Sequence, residues 1–381
     1  MELTIINAIP LIEGKLKNKC NITIINGIIS EIGSQIKGEI IDAQNNVVAS
    51  GYIDIHTHGG FGKDCMEPTY EAIDTISRYH LSTGITSFCP TTMTATEKEI
   101  NLACDNIRNY KSNYARIIGI HMEGPYLAAK AAGAHLPSLL KAPTEENQSF
   151  VWNNLDVLKR VTLAPNLENA AEFTKKAVEK GIQISIGHDD SIDDEIEACV
   201  DCGATSVTHM YNCTSKPSRR KTPKKHLGLT EMGLIEDRLV CEVIADDRHV
   251  PNKLFKMIYK IKGPKGICLV SDSLSVAGQP EGTYYLGSGE SQQEIKIDDG
   301  VAVLPRANTY AGSITPISKM VKNIVSIGIP VDEAISMATL IPAKLIDLKD
   351  RGDIKVGMLG DLNILDSNLN IINTVFNGKV L

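Results

Sequence analysis

The chain has 381 residues, 43% of them hydrophobic and 22% charged, and a formal net charge of −7. This is ordinary globular usage over more than one average domain length, which excludes a disordered chain, a collagen-like rod and a disulfide-dense mini-protein. The acidic balance excludes the global basic field of a nucleic-acid binder and leaves room only for a local basic patch.

No window of about 18 consecutive apolar residues occurs, so no membrane span is expected. The segment Met1–Ile6 has no basic residues and does not read as a signal peptide. Nine cysteines are scattered along the chain, which fits a reduced, cytoplasmic compartment. Cys199 and Cys202 form one CxxC pair. No second pair follows at zinc-knuckle spacing, so both are expected on a helix face.

In chain order, residues 1–48 read as short β-branched strands separated by turns, with Asn26-Gly27 as a hairpin turn. From about residue 50 to 275, apolar strand-like runs alternate with helical stretches. Eight such runs are expected: Tyr52–Ile55, Ile85–Cys89, Ile117–His121, Val161–Ala164, Ile182–Gly187, Ser206–His209, Leu239–Ala245 and Ile267–Val270. Thr94-Ala95-Thr96-Glu97 fits a capping box, and Gly181 and Gly203 fit helix stops. Residues 361–380 return to strand-like alternation.

Eight strand–helix units over roughly 250 residues match a (β/α)8 barrel. The chain ends are each too short to hold a core. The expected fold is therefore α/β: a TIM-like barrel over 50–345, with a small β-sandwich domain formed by 1–49 and 346–381.

The strand ends carry the chemistry. Six of the eight expected strands end on His, Glu or Asp: His56 and His58, Glu123, His188, His209, Asp246, Asp272. A (β/α)8 barrel builds its active site from these ends, whereas an open doubly wound sheet places its ligand at one switch point. In a strand, residues i and i+2 share a face, so His56 and His58 project together. Two converging imidazoles suit zinc, iron or a similar divalent ion. Glu123, His188 and His209 complete a candidate metal site from neighbouring strands. Asp272 is the candidate general base, able to take a proton from water and return it to a leaving group.

These motifs carry a resemblance that runs nearly end to end. The chain resembles the amidohydrolase superfamily and, within it, the N-acetylglucosamine-6-phosphate deacetylase family. The matching segments are Gly51–Gly60, His121-Met122-Glu123-Gly124-Pro125, Gly133-Ala134-His135, Gly187-His188, Thr208–Asn212, Ile244–Val250, Ser271-Asp272 and Ala311-Gly312-Ser313. The resemblance implies hydrolysis of the N-acetyl group of an amino sugar 6-phosphate in amino-sugar catabolism. It implies one or two divalent metal ions per subunit, zinc or iron, and a homodimer. Glu123, His188 and His209 match the main metal ligands, His56 and His58 a second metal position, and Asp272 the acid/base. Ala134, His135, Asn212, Cys213, Arg220, His249 and the turn Tyr310-Ala311-Gly312 fall at substrate-contact positions.

The chain departs from that pattern at Cys213-Thr214 and in the basic stretch Lys216–Lys221, where Arg219 and Arg220 compete for the phosphate role. The fourth strand ends on Asn166 where an acidic residue is more usual. These positions bear on the substrate, so another N-acyl amino sugar, such as N-acetylgalactosamine 6-phosphate, or a different amide is the alternative. No nucleic acid or membrane partner is expected.

Overall fold

The computed structural model describes residues 1–220, 223–286, 293–305 and 309–381. Eight parallel strands form the barrel: Tyr52–Thr57, Ile85–Thr92, Ile120–Glu123, Leu158–Leu163, Gln183–Ile186, Ser206–Val207, Val240–Val243 and Ile267–Leu269. The first two are buried at every position. That is the signature of a parallel sheet covered on both faces. The ladder closes just past strand eight: Asp272 N–H donates to the His56 carbonyl at 2.9 Å, and His58 N–H to that of Ser273 at 2.8 Å. The closure therefore runs through residues of the candidate site itself.

Helices cover the barrel for local reasons. In Tyr70–Ser82, the Thr69 hydroxyl caps the amide of Ala72, and Ile73, Ile76 and His80 recur at helical spacing on the buried face. Burial of each of those isoleucines contributes about 1.5–3 kcal/mol. Gly181 (φ +80°) and Gly203 (φ +104°) stop their helices as expected. The capping box lies two residues later than expected. Thr96 pairs with Glu99, while the hydroxyl of Thr94 bonds to His135. Long-range contact takes Thr94 from the local role its sequence offers.

Both chain ends build one β layer system. Strand Glu2–Ile12 pairs with Cys20–Ile25 and Glu39–Asp42 through its first half, and with Val47–Ser50 through its second. Its register breaks between Ile5 and Ala8, where Asn7 takes a left-handed φ of 54°. The C-terminal strands Leu362–Leu365, Ile371–Phe376 and Lys379–Val380 extend the sheet from Val47–Ser50. A separate core of Leu3, Ile5, Ile22, Ile24, Leu362 and Val375 fills it. Asn26 (φ 50°) and Gly27 (φ 80°) form the expected tight hairpin turn.

One element was not expected. After strand eight, a four-stranded antiparallel sheet is inserted: Gly282–Leu286, Gln293–Asp298, Val301–Leu304 and Thr309–Gly312. It has its own small core of Leu274, Val276, Ile295, Ile297, Ala302 and Leu304. Its last strand delivers Gly312 and Ser313 back to the barrel, where Ser313 N–H donates to the Asp272 carbonyl at 2.9 Å. Among the described residues, no helix is long and apolar enough to cross a membrane.

Candidate metal centre and active site

The C-terminal ends of the strands bring the candidate ligands to one place. Two groups have donor atoms mutually within 4.8 Å: His56, His58 and Asp272, and Glu123, His188 and His209. Glu123 joins them. Its Oε2 lies 3.2 Å from His56 Nε2 and 3.1 Å from His58 Nε2, and its Oε1 lies 3.3 Å from His188 Nε2 and 3.1 Å from His209 Nε2. Asp272 Oδ1 lies 3.5 Å from His56 Nε2 and 3.3 Å from His58 Nε2.

Backbone geometry makes this convergence possible. His188 (φ 47°), His209 (φ 27°) and Asp272 (φ 47°) all leave their strands in left-handed backbone conformations. Such conformations are uncommon outside glycine and concentrate at functional sites. Gly124 (φ +75°) follows Glu123, and a Cβ there would meet the Thr94 hydroxyl at 2.1 Å. Gly133 (φ +60°) lets its loop approach, since a Cβ would lie 3.0 Å from Cys213 Sγ and 3.2 Å from His188 Cε1.

The outer contacts orient the imidazoles. His58 Nδ1 lies 3.2 Å from the Thr91 carbonyl, His188 Nδ1 2.7 Å from that of Ala131, and His209 Nδ1 3.1 Å from that of Asn212. A carbonyl only accepts, so each Nδ1 carries a proton and each Nε2 is the atom turned into the site. The two carboxylates concentrate negative charge there. Burial works against a charged His58, yet hydrogen bonds to Asp272 and Glu123 push it up to about 10. Burial also works against the Glu123 carboxylate, but the surrounding histidines hold it well below its usual range. Asp272 behaves likewise: burial opposes its charge, and His56 and His58 outweigh that and keep it ionised. Four imidazoles around two carboxylates are a donor set suited to a divalent cation, which would take the place of any proton on Nε2.

His135 sits beside this cluster with Nε2 3.6 Å from Glu123 Oε2. Thr94 N–H donates to His135 Nδ1 at 3.2 Å, so the neutral ring carries its proton on Nε2. Burial pushes His135 down to about 4, which keeps it neutral near pH 7. Asp246 Oδ2 holds His249 Nδ1 at 2.7 Å, and the His249 ring packs on Tyr310 at 4.9 Å. The half-buried Ala134, beside His135, and Ala311, beside Tyr310, occupy these two flanking segments.

The loop after His209 is clamped by a residue that sequence reasoning passed over. Asp189 accepts from Ser215 N at 2.8 Å and Ser215 Oγ at 2.7 Å, which fixes the segment holding Asn212 and Cys213. The Cys213 thiol contacts His188: burial raises its pKa, and the hydrogen bond to His188, with the charges of His188 and His209, more than offsets this. Arg220 has partners within the chain. Its guanidinium binds Glu195 at 2.5 and 2.6 Å and also the Asp190 carbonyl, so it braces the loop against the helix Asp193–Asp201. Arg219 is exposed beside it, and Lys221 lies outside the described residues. Cys199 is buried on that helix, as expected, and Cys202 follows at its cap.

The same site geometry accompanies clear kinship. The chain belongs to the amidohydrolase family, whose model matches residues 47–381. It is a hydrolase of that metal-dependent family. It is 31% identical over 368 residues to the N-acetylglucosamine-6-phosphate deacetylase of Haemophilus influenzae, covering 93% of this chain and 92% of that protein. The Bos taurus enzyme of the same name is 30% identical, with 91% and 86% covered. Among solved structures, the N-acetylglucosamine-6-phosphate deacetylase of Pasteurella multocida superposes with a TM-score of 0.91 at 26% identity, covering 100% of both chains. That of Thermotoga maritima gives 0.87 at 27% identity, with 99% of each covered.

Proposed function

We propose that this chain hydrolyses the N-acetyl group of N-acetylglucosamine 6-phosphate, releasing acetate and glucosamine 6-phosphate. The observation that carries the reading is the Glu123 carboxylate, shared by two donor groups at the barrel rim beside the ionised Asp272. Relatives bearing that activity in their names cover almost the whole chain.

We assign Glu123, His188 and His209 as holders of one divalent ion, and His56, His58 and Asp272 as holders of a second. Zinc or iron suits these imidazole and carboxylate donors. When bound, the ion supplies polarisation of the acetyl carbonyl and a water of lowered pKa. Asp272 takes a proton from water during attack on the carbonyl carbon and gives it to the departing amine. His135, neutral and protonated on Nε2, donates to the developing oxyanion. Asn212, Ala134 and Cys213 surround the sugar together with Tyr310, Ala311 and Gly312, which lie in a strand of the inserted sheet and not in the expected turn. His249 and Arg220 or Arg219 meet the phosphate. Since Arg220 is held by Glu195, it reaches a phosphate only by exchanging that partner.

The same reading places the enzyme in the cytoplasm as a homodimer. It divides the chain into 1–49 with 346–381 and 50–345, supported by the sheet that both ends share.

The test is acetate release by zinc- or iron-loaded protein from N-acetylglucosamine 6-phosphate, beside the unphosphorylated sugar and N-acetylgalactosamine 6-phosphate. Release from the phosphorylated gluco sugar alone supports the reading. No release from it, with metal bound, overturns the substrate.

A further inference from the structure

Below the metal centre the barrel interior holds an ion pair that the reaction as described does not use. Arg160 on barrel strand four and Glu242 on strand seven are both fully buried and touch through Arg160 Nη2 and Glu242 Oε1. Ser185 and Ser206 also donate to Oε1, at 3.0 and 2.7 Å, and Arg160 Nη1 donates to the Ile55 carbonyl at 3.0 Å. A barrel interior is ordinarily filled by Val, Ile and Leu. A buried ion pair there is weak evidence for stability, because desolvation offsets its attraction.

The other oxygen, Glu242 Oε2, has no hydrogen-bond partner among the described residues, and neither does His56 Nδ1. These two orphaned atoms face each other at 3.9 Å. The gap is just beyond a hydrogen bond and too short to admit a water. The other three histidines of the centre have a backbone carbonyl on Nδ1. Neighbouring His121 cannot serve His56, since its ring nitrogens face the hydroxyls of Thr91 and Thr162.

We propose that Glu242 is the positioning residue of His56: its Oε2 accepts the Nδ1 proton, fixing the tautomer that turns Nε2 toward Glu123 and Asp272. Arg160, with Ser185 and Ser206, occupies Oε1 and leaves Oε2 aimed at His56. This rests on the metal-centre reading above. Outer carboxylates of this kind typically contribute 10–100-fold to metal affinity.

Two measurements test it. In zinc-loaded, unaltered protein, long-range proton–nitrogen spectra, with His56 assigned from a His56→Asn variant, are expected to show Nδ1 of His56 protonated. An unprotonated Nδ1 overturns the proposal. Second, zinc affinity is measured by chelator competition in Arg160→Met/Glu242→Met, which removes both charges and avoids an unpaired buried one. A 10–100-fold loss is expected for the His56 and His58 position. No further loss is expected when the same pair is introduced into His56→Asn. An unchanged affinity, or an equal loss in both backgrounds, shows a purely structural pair and overturns the assignment. Unaltered protein that binds no zinc or iron would instead sink the metal reading on which this stands.

Discussion

Replacing Asp272 by Asn removes the proton carrier, together with one carboxylate donor of the second ion position, and leaves the backbone of the site intact. The change keeps side-chain shape, and the backbone bonds of residue 272, to His56 and from Ser313 at 2.9 Å each, do not involve the side chain. Asn also tolerates the left-handed φ of 47° that this position requires. The amide can still lie 3.3–3.5 Å from His58 and His56, but it cannot accept and return a proton. General acid–base catalysis is typically worth 10²–10⁴-fold, or about 3–5 kcal/mol of barrier. Expected, then, is a fall of that size in kcat, read by acetate release, with the melting temperature within about 4 °C of the parent, as for a ΔΔG below 1 kcal/mol. Metal at the Glu123, His188 and His209 position should be retained. A loss under tenfold, with metal retained at the Glu123, His188 and His209 position, would refute the role given to Asp272.

Glu123→Gln should weaken both metal positions together, because one carboxylate faces all four imidazoles. Metal retained after dialysis is expected to fall at least about tenfold, and loss confined to one position would contradict the shared-ligand geometry. Gly133→Ala forces a left-handed alanine, costing about 1–3 kcal/mol, and drives a methyl to within 3.2 Å of His188. Reduced metal affinity and a lower urea midpoint should appear together. His80 gives a pH signature. Burial holds it down to about 3, so the native state stays unprotonated while the unfolded chain binds a proton below about 6.5. Its stabilisation is complete above pH 6.5 and is lost as pH falls toward 3, amounting to about 3 kcal/mol by pH 4.5. In metal-free protein, His80→Asn should flatten the urea-midpoint profile between pH 6.5 and 4.5, and an unaltered slope would exclude His80 as the cause.

Much of this centre was legible in the sequence because barrel geometry is periodic. A His-x-His pair at a strand end has one way to point, and Glu123, His188, His209 and Asp272 occupy equivalent ends of other strands. The helix stops at Gly181 and Gly203 and the turn at Asn26-Gly27 are likewise local decisions of backbone sterics. The four-stranded insert after strand eight was not legible, since its strands fall outside the strand–helix alternation and, among the described residues, pair with one another. Thr94 reads as a helix cap until His135, 41 residues away, claims its hydroxyl.

Sequence by itself pointed to the class of fold and to the residues gathered at the barrel rim, because these depend on residue type at regular spacing, and its motifs carried the family resemblance. Only the tertiary structure decided the partners. It bound Arg220 to Glu195, set Asp189 to clamp Ser215, and placed Glu242 beneath His56 across 186 residues of chain. None of these pairs shares a motif or a period. A buried charge or an orphaned ring nitrogen takes whichever group closure of the barrel brings near, and that proximity exists only once all eight strands are in register.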